Sequence, residues 1–318
     1  MKLIVCGLFL LLAGCTSSRA YIPESQQLDT SLLPQPDTTV SIPNLSSCTD
    51  ATDKSIQIDS KSPITILVHG CNGSAGRFRS LAQLYAFHGQ QAICYSYDDR
   101  ASLLESADKL AFAVNALAEA THNQSISIIG HSMGGLISRK AMEVNKQTSD
   151  LLGDKNLELI TISAPLSGIK AANHCGITSL HWLTAGVIPG ICWAVTGNNW
   201  REISSSSDFI RYPEPLIPSV QKYLKIVTNE KDTCRLKGSD GSCIESDYVF
   251  DLAEQYHHKV DNYDNITGVQ VDAGHVEIVG NKDIVPRKLL AILQENNMLS
   301  YTPAERKEAL EQLLAELY

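Results

Sequence analysis

Residues 130–134 read Gly130-His131-Ser132-Met133-Gly134. A serine set two positions from a glycine on either side can be held at the crest of a tight turn, where its hydroxyl is presented as a nucleophile. A serine hydroxyl attacks poorly at neutral pH. It needs a base within hydrogen-bond reach, a group that orients the base, and N–H donors for the charge that grows on an attacked carbonyl oxygen. His275, in Asp272-Ala273-Gly274-His275, is the candidate base. Three aspartates compete for the orienting role: Asp232 in Asn229-Glu230-Lys231-Asp232, Asp240 in a Ser-Asp-Gly turn, and Asp247 in Ser246-Asp247-Tyr248-Val249-Phe250. The N–H of Met133, at a helix start, is one candidate oxyanion donor. No C-x-x-C pair occurs, so no zinc or redox site is expected, and no cofactor or metal is implied.

These groups need elements to hold them. Ser125-Ile126-Ser127-Ile128-Ile129 is a short β-branched run ahead of Ser132, and Met133–Val144 is apolar at helical spacing. Strands are also expected at Ile56–Ile58, Ile64–Val68, Ala92–Tyr97, Leu157–Ile162, Leu224–Thr228 and Val269–Val271. Helices are expected at Gly76–His88, Leu103–Ala120, Val249–His257, Pro286–Gln294 and Pro303–Leu317, the last capped by Thr302 with Glu305 completing a capping box. Continuous apolar strands alternating with helices imply an α/β fold, a mostly parallel sheet covered on both faces. His275 follows the last strand at once, with Gly274 permitting the turn that presents it. His257 and His258 read as the solvated end of a helix.

The chain has 318 residues, 43% of them hydrophobic, enough for a full-sized core. A net charge of −9 and the lack of a basic stripe argue against a nucleic-acid partner. Residues 16–55 are rich in Ser, Thr, Pro, Gln and Asp and read as a flexible tether. Residues 177–195 carry no charged side chain, yet they lie between strands of one sheet and contain Pro189, Gly186 and Gly190. They read as an apolar insertion over the sheet's C-terminal edge, a lid or substrate wall, rather than a membrane span. Cys234/Cys243 and Cys175/Cys192, each close in sequence, are the favoured disulfide pairs in an exported chain.

Several motifs resemble known families. Leu3 to Leu12 is an apolar run too short to cross a bilayer, and Leu12-Ala13-Gly14-Cys15 resembles the bacterial lipobox. The resemblance implies a signal peptide over 1–14 and lipidation of Cys15, which would anchor the chain to a membrane. Thr16 in place of an inner-membrane retention aspartate favours the outer membrane. The G-x-S-x-G turn, the His69-Gly70-Cys71 loop after an early strand, the acid after a late strand and the final-loop histidine together resemble the α/β-hydrolase superfamily in its lipase/esterase branch. That resemblance covers about residues 60–295 of a domain placed at 56–318, with an insertion at about 175–210. It implies Ser132 as nucleophile, His275 as base and Asp247 as acid, with Asp232 as the alternative. It further implies the N–H groups of Cys71 and Met133 as the oxyanion hole, with His69 holding its loop. The expected activity is hydrolysis of acyl or lipid esters. Acyl transfer on the same residues, or a non-catalytic envelope binding module on the same fold, are the alternatives.

Overall fold

The central apolar runs, at Ile64–Val68, Gln91–Tyr95, Ile126–His131 and Leu157–Ile162, pair with one another in parallel, because they are buried on both faces and a covered parallel sheet offers that environment. In the computed structural model, described for residues 27–71, 73–122, 125–172, 200–263, 265–281 and 283–318, the strands are β1 (Thr38–Val40), β2 (Leu45–Ser46), β3 (Ile56–Ile58), β4 (Ile64–Val68), β5 (Gln91–Tyr95), β6 (Ile126–His131), β7 (Leu157–Ile162), β8 (Val220–Asn229), β9 (Cys234–Lys237), β10 (Cys243–Ser246) and β11 (Ile266–Asp272). Seven form one sheet in the order β11-β8-β7-β6-β4-β5-β2. All neighbours in it are parallel except β2, which pairs antiparallel with β5 at one edge. The carboxyl ends of β4, β6, β7, β8 and β11 therefore point the same way, and the residues that follow them gather along one edge.

Helices cover both faces. The longer ones are α1 (Arg79–Phe87), α2 (Leu103–Ala120), α3 (Met133–Ala141), α4 (Lys146–Leu152), α5 (Arg287–Glu295) and α6 (Lys307–Leu317). Ile64, Ile66, Val68, Ile126 and Ile128 face α2 and α3, meeting Leu110, Val114, Leu117 and Ile137. Leu67, Ile129, Ile160 and Leu224 face the other layer, meeting Leu84 of α1 and Leu289 and Leu293 of α5. The alternation of Ile66 and Leu67 between the two cores is the period-2 signature of a strand. Burying each such side chain stabilises the fold by about 1.5–3 kcal/mol. Ser102 starts α2 by accepting the Glu105 N–H at 3.2 Å, which satisfies one of the unpaired donors of that helix's first turn.

Three expectations need correction. The polar stretch to residue 55 is no tether from residue 27 onward: β1 pairs with β3 in a separate two-stranded sheet, Leu45 is fully buried, and Cys48 is joined to Cys94 of β5. Val40, Ile42 and Leu45, apolar residues within this polar stretch, are buried in the core. Residues 249–257 form no helix of that length, only a 3-10 turn at Leu252–Gln255, with the four-residue helix His258–Asp261 after it. The last helix is not capped by Thr302. Pro303 precedes a 3-10 turn, α6 begins at Lys307, and the Thr302 hydroxyl is 2.9 Å from Nε2 of His88 instead. Gly274 makes room for the turn that presents His275, since a Cβ there would lie 2.6 Å from Cγ of Asp247.

The signal sequence, Cys15, Cys175, Cys192 and the apolar stretch at 177–195 lie outside the described residues. The chain around that stretch is anchored where it is described. The N–H of Ile169 donates to the carbonyl of Ile203 at 3.0 Å, and Glu202 accepts from the Ser102 hydroxyl at 2.8 Å.

Candidate active site

Ser132 occupies the turn between β6 and α3 with φ 55° and ψ −123°, a backbone conformation that costs a non-glycine residue about 1–3 kcal/mol. The strain is maintained by packing on every side. The Ser132 N–H donates to the Ile162 carbonyl of β7 at 2.9 Å. A Cβ on Gly130 would lie 2.6 Å from the carbonyl carbon of Gly134, and one on Gly134 would lie 2.9 Å from that of Val68. Both glycines are there because backbone meets backbone. Met133 heads α3, so its N–H is among the first-turn donors whose dipole favours negative charge.

The loop after β4 closes over the same turn. A Cβ at Gly70 would stand 3.0 Å from Cβ of Ser132. His69 fixes this loop: its ring stacks on Tyr97 at 4.3 Å, its Nδ1–H donates to the Gly70 carbonyl at 2.9 Å, and its own carbonyl accepts the Tyr97 hydroxyl at 2.7 Å. Cys71 follows, exposed at the end of this loop.

His275 comes to the same edge from the end of β11. Its ring centroid is 4.8 Å from that of His131, the residue preceding Ser132, and the His131 Nε2–H donates to the His275 carbonyl at 2.9 Å. Burial drives the pKa of His131 well below the ordinary histidine value. The neighbouring His275 and Arg77 push the same way, against the hydrogen bond to His275. His131 is therefore a neutral donor that fastens the turn to the histidine loop. Phe250 packs edge-on against the His275 ring at 4.8 Å.

The residue that reaches the imidazole is Glu230, the first residue after β8. Its Oε1 accepts the His275 Nδ1–H at 2.8 Å. Oε1 also accepts from Ser163 at 2.8 Å and Thr228 at 3.1 Å, and Oε2 accepts the N–H groups of Val249 at 2.7 Å and Phe250 at 3.2 Å. Burial opposes ionisation of this carboxyl, but the bonds from His275, Val249 and Ser163 outweigh it and hold the group below the ordinary glutamate range.

The sequence-based choice of Asp247 for that contact is corrected accordingly. Asp247 is buried, but its carboxylate accepts the main-chain N–H groups of Val276 and Glu277 and the guanidinium of Arg235, at 2.8–3.1 Å. The His275 N–H donates to its carbonyl at 2.9 Å. Asp247 thus holds the histidine loop by its backbone. The alternative, Asp232, sits exposed at a positive φ of 61° in the turn after β8, and Asp240 accepts from Ser242 within the β9–β10 turn. The one mark Glu230 carries in the sequence is its place immediately after a parallel strand, where a glutamate serves as well as an aspartate. Among the described residues, no group of three or more His, Cys, Asp or Glu is placed to hold a metal ion.

With this geometry in view, the lipase (class 2) family matches residues 61–309. The Bacillus licheniformis lipase BlEst2 in its mature form is a structural neighbour with a TM-score of 0.51 and 14% identity, over 83% of this chain and 99% of that one. The same lipase in its propeptide form gives a TM-score of 0.53 at 15% identity, over 85% of this chain and 55% of that one. At these identities the likeness is one of fold. A search of curated protein sequences returns no match.

Proposed function

Because the chain belongs to the class 2 lipase family, we propose that it is a serine ester hydrolase working through Ser132, His275 and Glu230. The observation that carries this reading is the 2.8 Å bond between His275 Nδ1 and Glu230, both buried, beside a serine held in a strained strand-to-helix turn. A carboxylate on Nδ1–H leaves Nε2 as the basic nitrogen. In the acylation step Ser132 Oγ bonds to the ester carbonyl carbon as its proton passes to Nε2. The tetrahedral oxyanion forms against the N–H groups of Cys71 and Met133, and the C–O bond to the alcohol breaks as Nε2 returns the proton to it. Water, deprotonated in the same way, then releases the acid and restores Ser132. Glu230 stays ionised, orients the ring and stabilises the imidazolium. Each oxyanion donor is worth about 3 kcal/mol in such a site.

Fluorophosphonate labelling with mass-spectrometric localisation, run beside a chain-length series of chromogenic esters, tests this. Label on Ser132, turnover, and loss of both in Ser132→Ala are expected. Transfer to added alcohols outrunning hydrolysis would make the protein an acyltransferase, and an unlabelled, inactive protein would make it a binding module.

Lipidation of Cys15 and residence in the bacterial envelope, at the outer membrane, complete the reading. Leu12-Ala13-Gly14-Cys15 after an apolar run supports them. A Cys15→Ser chain should fail to incorporate labelled palmitate and leave the membrane fraction.

A further inference from the structure

Ser163 is the second serine at the carboxyl edge with a left-handed backbone, φ 47°, at the end of β7. It is fully buried, and its N–H donates to the Ile226 carbonyl of β8 at 2.9 Å, which ties it to the sheet. Its Oγ lies 2.8 Å from Glu230 Oε1, 3.0 Å from His275 Nδ1 and 2.6 Å from Thr228 Oγ1. One hydroxyl thus touches both members of the acid–base pair and a further hydroxyl behind them.

The protons can be assigned from what each group can give. Glu230 is ionised and only accepts. His275 Nδ1–H donates to Glu230, with Ser163 Oγ as a second, longer acceptor. Ser163 O–H has its only anionic acceptor in Glu230. The lone pair that remains on Ser163 takes the larger share of the Thr228 O–H, at 2.6 Å against 3.1 Å for its second acceptor, Glu230 Oε1. Thr228 is itself fixed, its N–H donating to Gln255 Oε1 at 2.8 Å and its carbonyl accepting Gln255 Nε2–H at 2.7 Å. A strained, fully buried serine needs a compensating reason to persist, and the hydrogen bonds of its side chain all go to this chain of groups.

From this we infer that Ser163 is a positioning residue for the proposed reaction, its hydroxyl locking the Glu230 carboxylate and the His275 ring in the orientation that leaves Nε2 basic, with Thr228 orienting that hydroxyl. The inference rests on the serine-hydrolase reading above. It makes Ser163 matter to the chemical step and not to substrate binding.

The test is kinetic, with two substitutions that separate side chain from backbone. Ser163→Ala removes the hydroxyl and keeps the φ strain, whereas Ser163→Gly removes the hydroxyl and accepts φ 47° without cost. Both should lower kcat about ten- to a hundredfold, the range for one hydrogen bond to a charged group, with KM nearly unchanged. The downfield resonance of the His275 Nδ1 proton should move in both, a readout that a merely structural serine would leave in place. Thr228→Ser should keep kcat, and Thr228→Val should lose part of it. Wild-type kcat and an unmoved proton resonance in folded Ser163→Gly would overturn the assignment. Ser132→Ala, measured alongside, separates the two possible failures. If it still turns over, the serine mechanism falls and Ser163 with it. If it is inactive while Ser163→Gly is unimpaired, only the Ser163 role falls.

Discussion

The Asp247 carboxylate accepts the N–H groups of Val276 at 3.1 Å and Glu277 at 2.8 Å, so it grips the two residues after His275 while Glu230 grips the imidazole itself. Two buried acids therefore serve one histidine by different routes, and substitution should separate them. Glu230→Gln leaves the shape intact but removes the charge that stabilises the imidazolium, so kcat should fall by about 10²–10⁴ with little change in unfolding midpoint. Asp247→Asn leaves Arg235 without its buried counter-charge and puts N–H donors opposite main-chain N–H groups. It should cost about 1–3 kcal/mol in denaturant unfolding and reduce kcat far less. The reverse pattern would return the orienting role to Asp247.

The hairpin β9–β10 bears on the same loop, because Arg235 Nε and Nη2 lie 3.1 and 3.0 Å from Asp247 Oδ1. Cys234–Cys243 staples that hairpin at the surface, whereas Cys48–Cys94 is fully buried and joins β5 to the segment after β2. A mild reductant with alkylation and mass spectrometry should open the hairpin bridge in the folded protein and leave the buried one until unfolding. Replacing the Cys234–Cys243 pair by serine should cost about 2–3 kcal/mol by loop-closure entropy, and replacing the longer Cys48–Cys94 bridge about 4 kcal/mol. Equal protection of the two bridges would contradict the burial difference on which this rests.

Stability should depend on pH through His131. Burial, with His275 and Arg77, holds its folded pKa well below that of the unfolded chain, where an imidazole titrates near ~6.5. Above that value neither state binds the proton and nothing is lost. Below it the unfolded chain takes up a proton that the folded one refuses, so stability falls with decreasing pH, by up to about 1.4 kcal/mol per unit for each such group. His88 and His257, also lowered chiefly by burial, act with the same sign. Glu230, lowered in its folded state, adds a separate loss once pH falls through the carboxylate range. Urea unfolding at pH 5, 6 and 7 should give a shallower slope for His131→Gln, whose amide can still donate toward the His275 carbonyl. An unchanged slope would show that His131 does not resist protonation.

What was legible in the chain was the local part of this arrangement. Ser132 announces itself because the turn is built from five contiguous residues, and His275 because a strand ends three residues before it. The Cys234–Cys243 pair was readable for the same reason of proximity. Glu230 required knowing where β8 stops, and the strand runs one residue past the apolar stretch, to Asn229, so that the first available carboxylate is a glutamate. Asp247 misled because an aspartate before apolar residues has the same local pattern whether it faces an imidazole or a pair of amides. Ser163 carries no sequence mark at all, since a positive φ on serine is imposed by the sheet edge. Cys48–Cys94 was hidden because β2 is two residues long and lies in a stretch whose composition is that of a linker.

The strand-to-helix turn also makes a prediction about glycine. At Gly134 a methyl group would be driven against the carbonyl groups of Val68 and His69, main-chain atoms that cannot swing aside. Gly134→Ala should therefore displace α3 from β4, with it the Met133 N–H, and destabilise the fold by several kcal/mol, roughly the size seen for severe core overpacking. Gly268 of β11 is the matched control, since a Cβ there meets nothing within 4 Å and its φ is not positive. Gly268→Ala should be neutral or stabilising by about 0.4–1 kcal/mol through the unfolded state. Thermal melts and fluorophosphonate labelling of both variants check the pair. If Gly134→Ala melts and labels like wild type, the close approach of β4 to α3 that holds Ser132 in its strained turn cannot be as drawn.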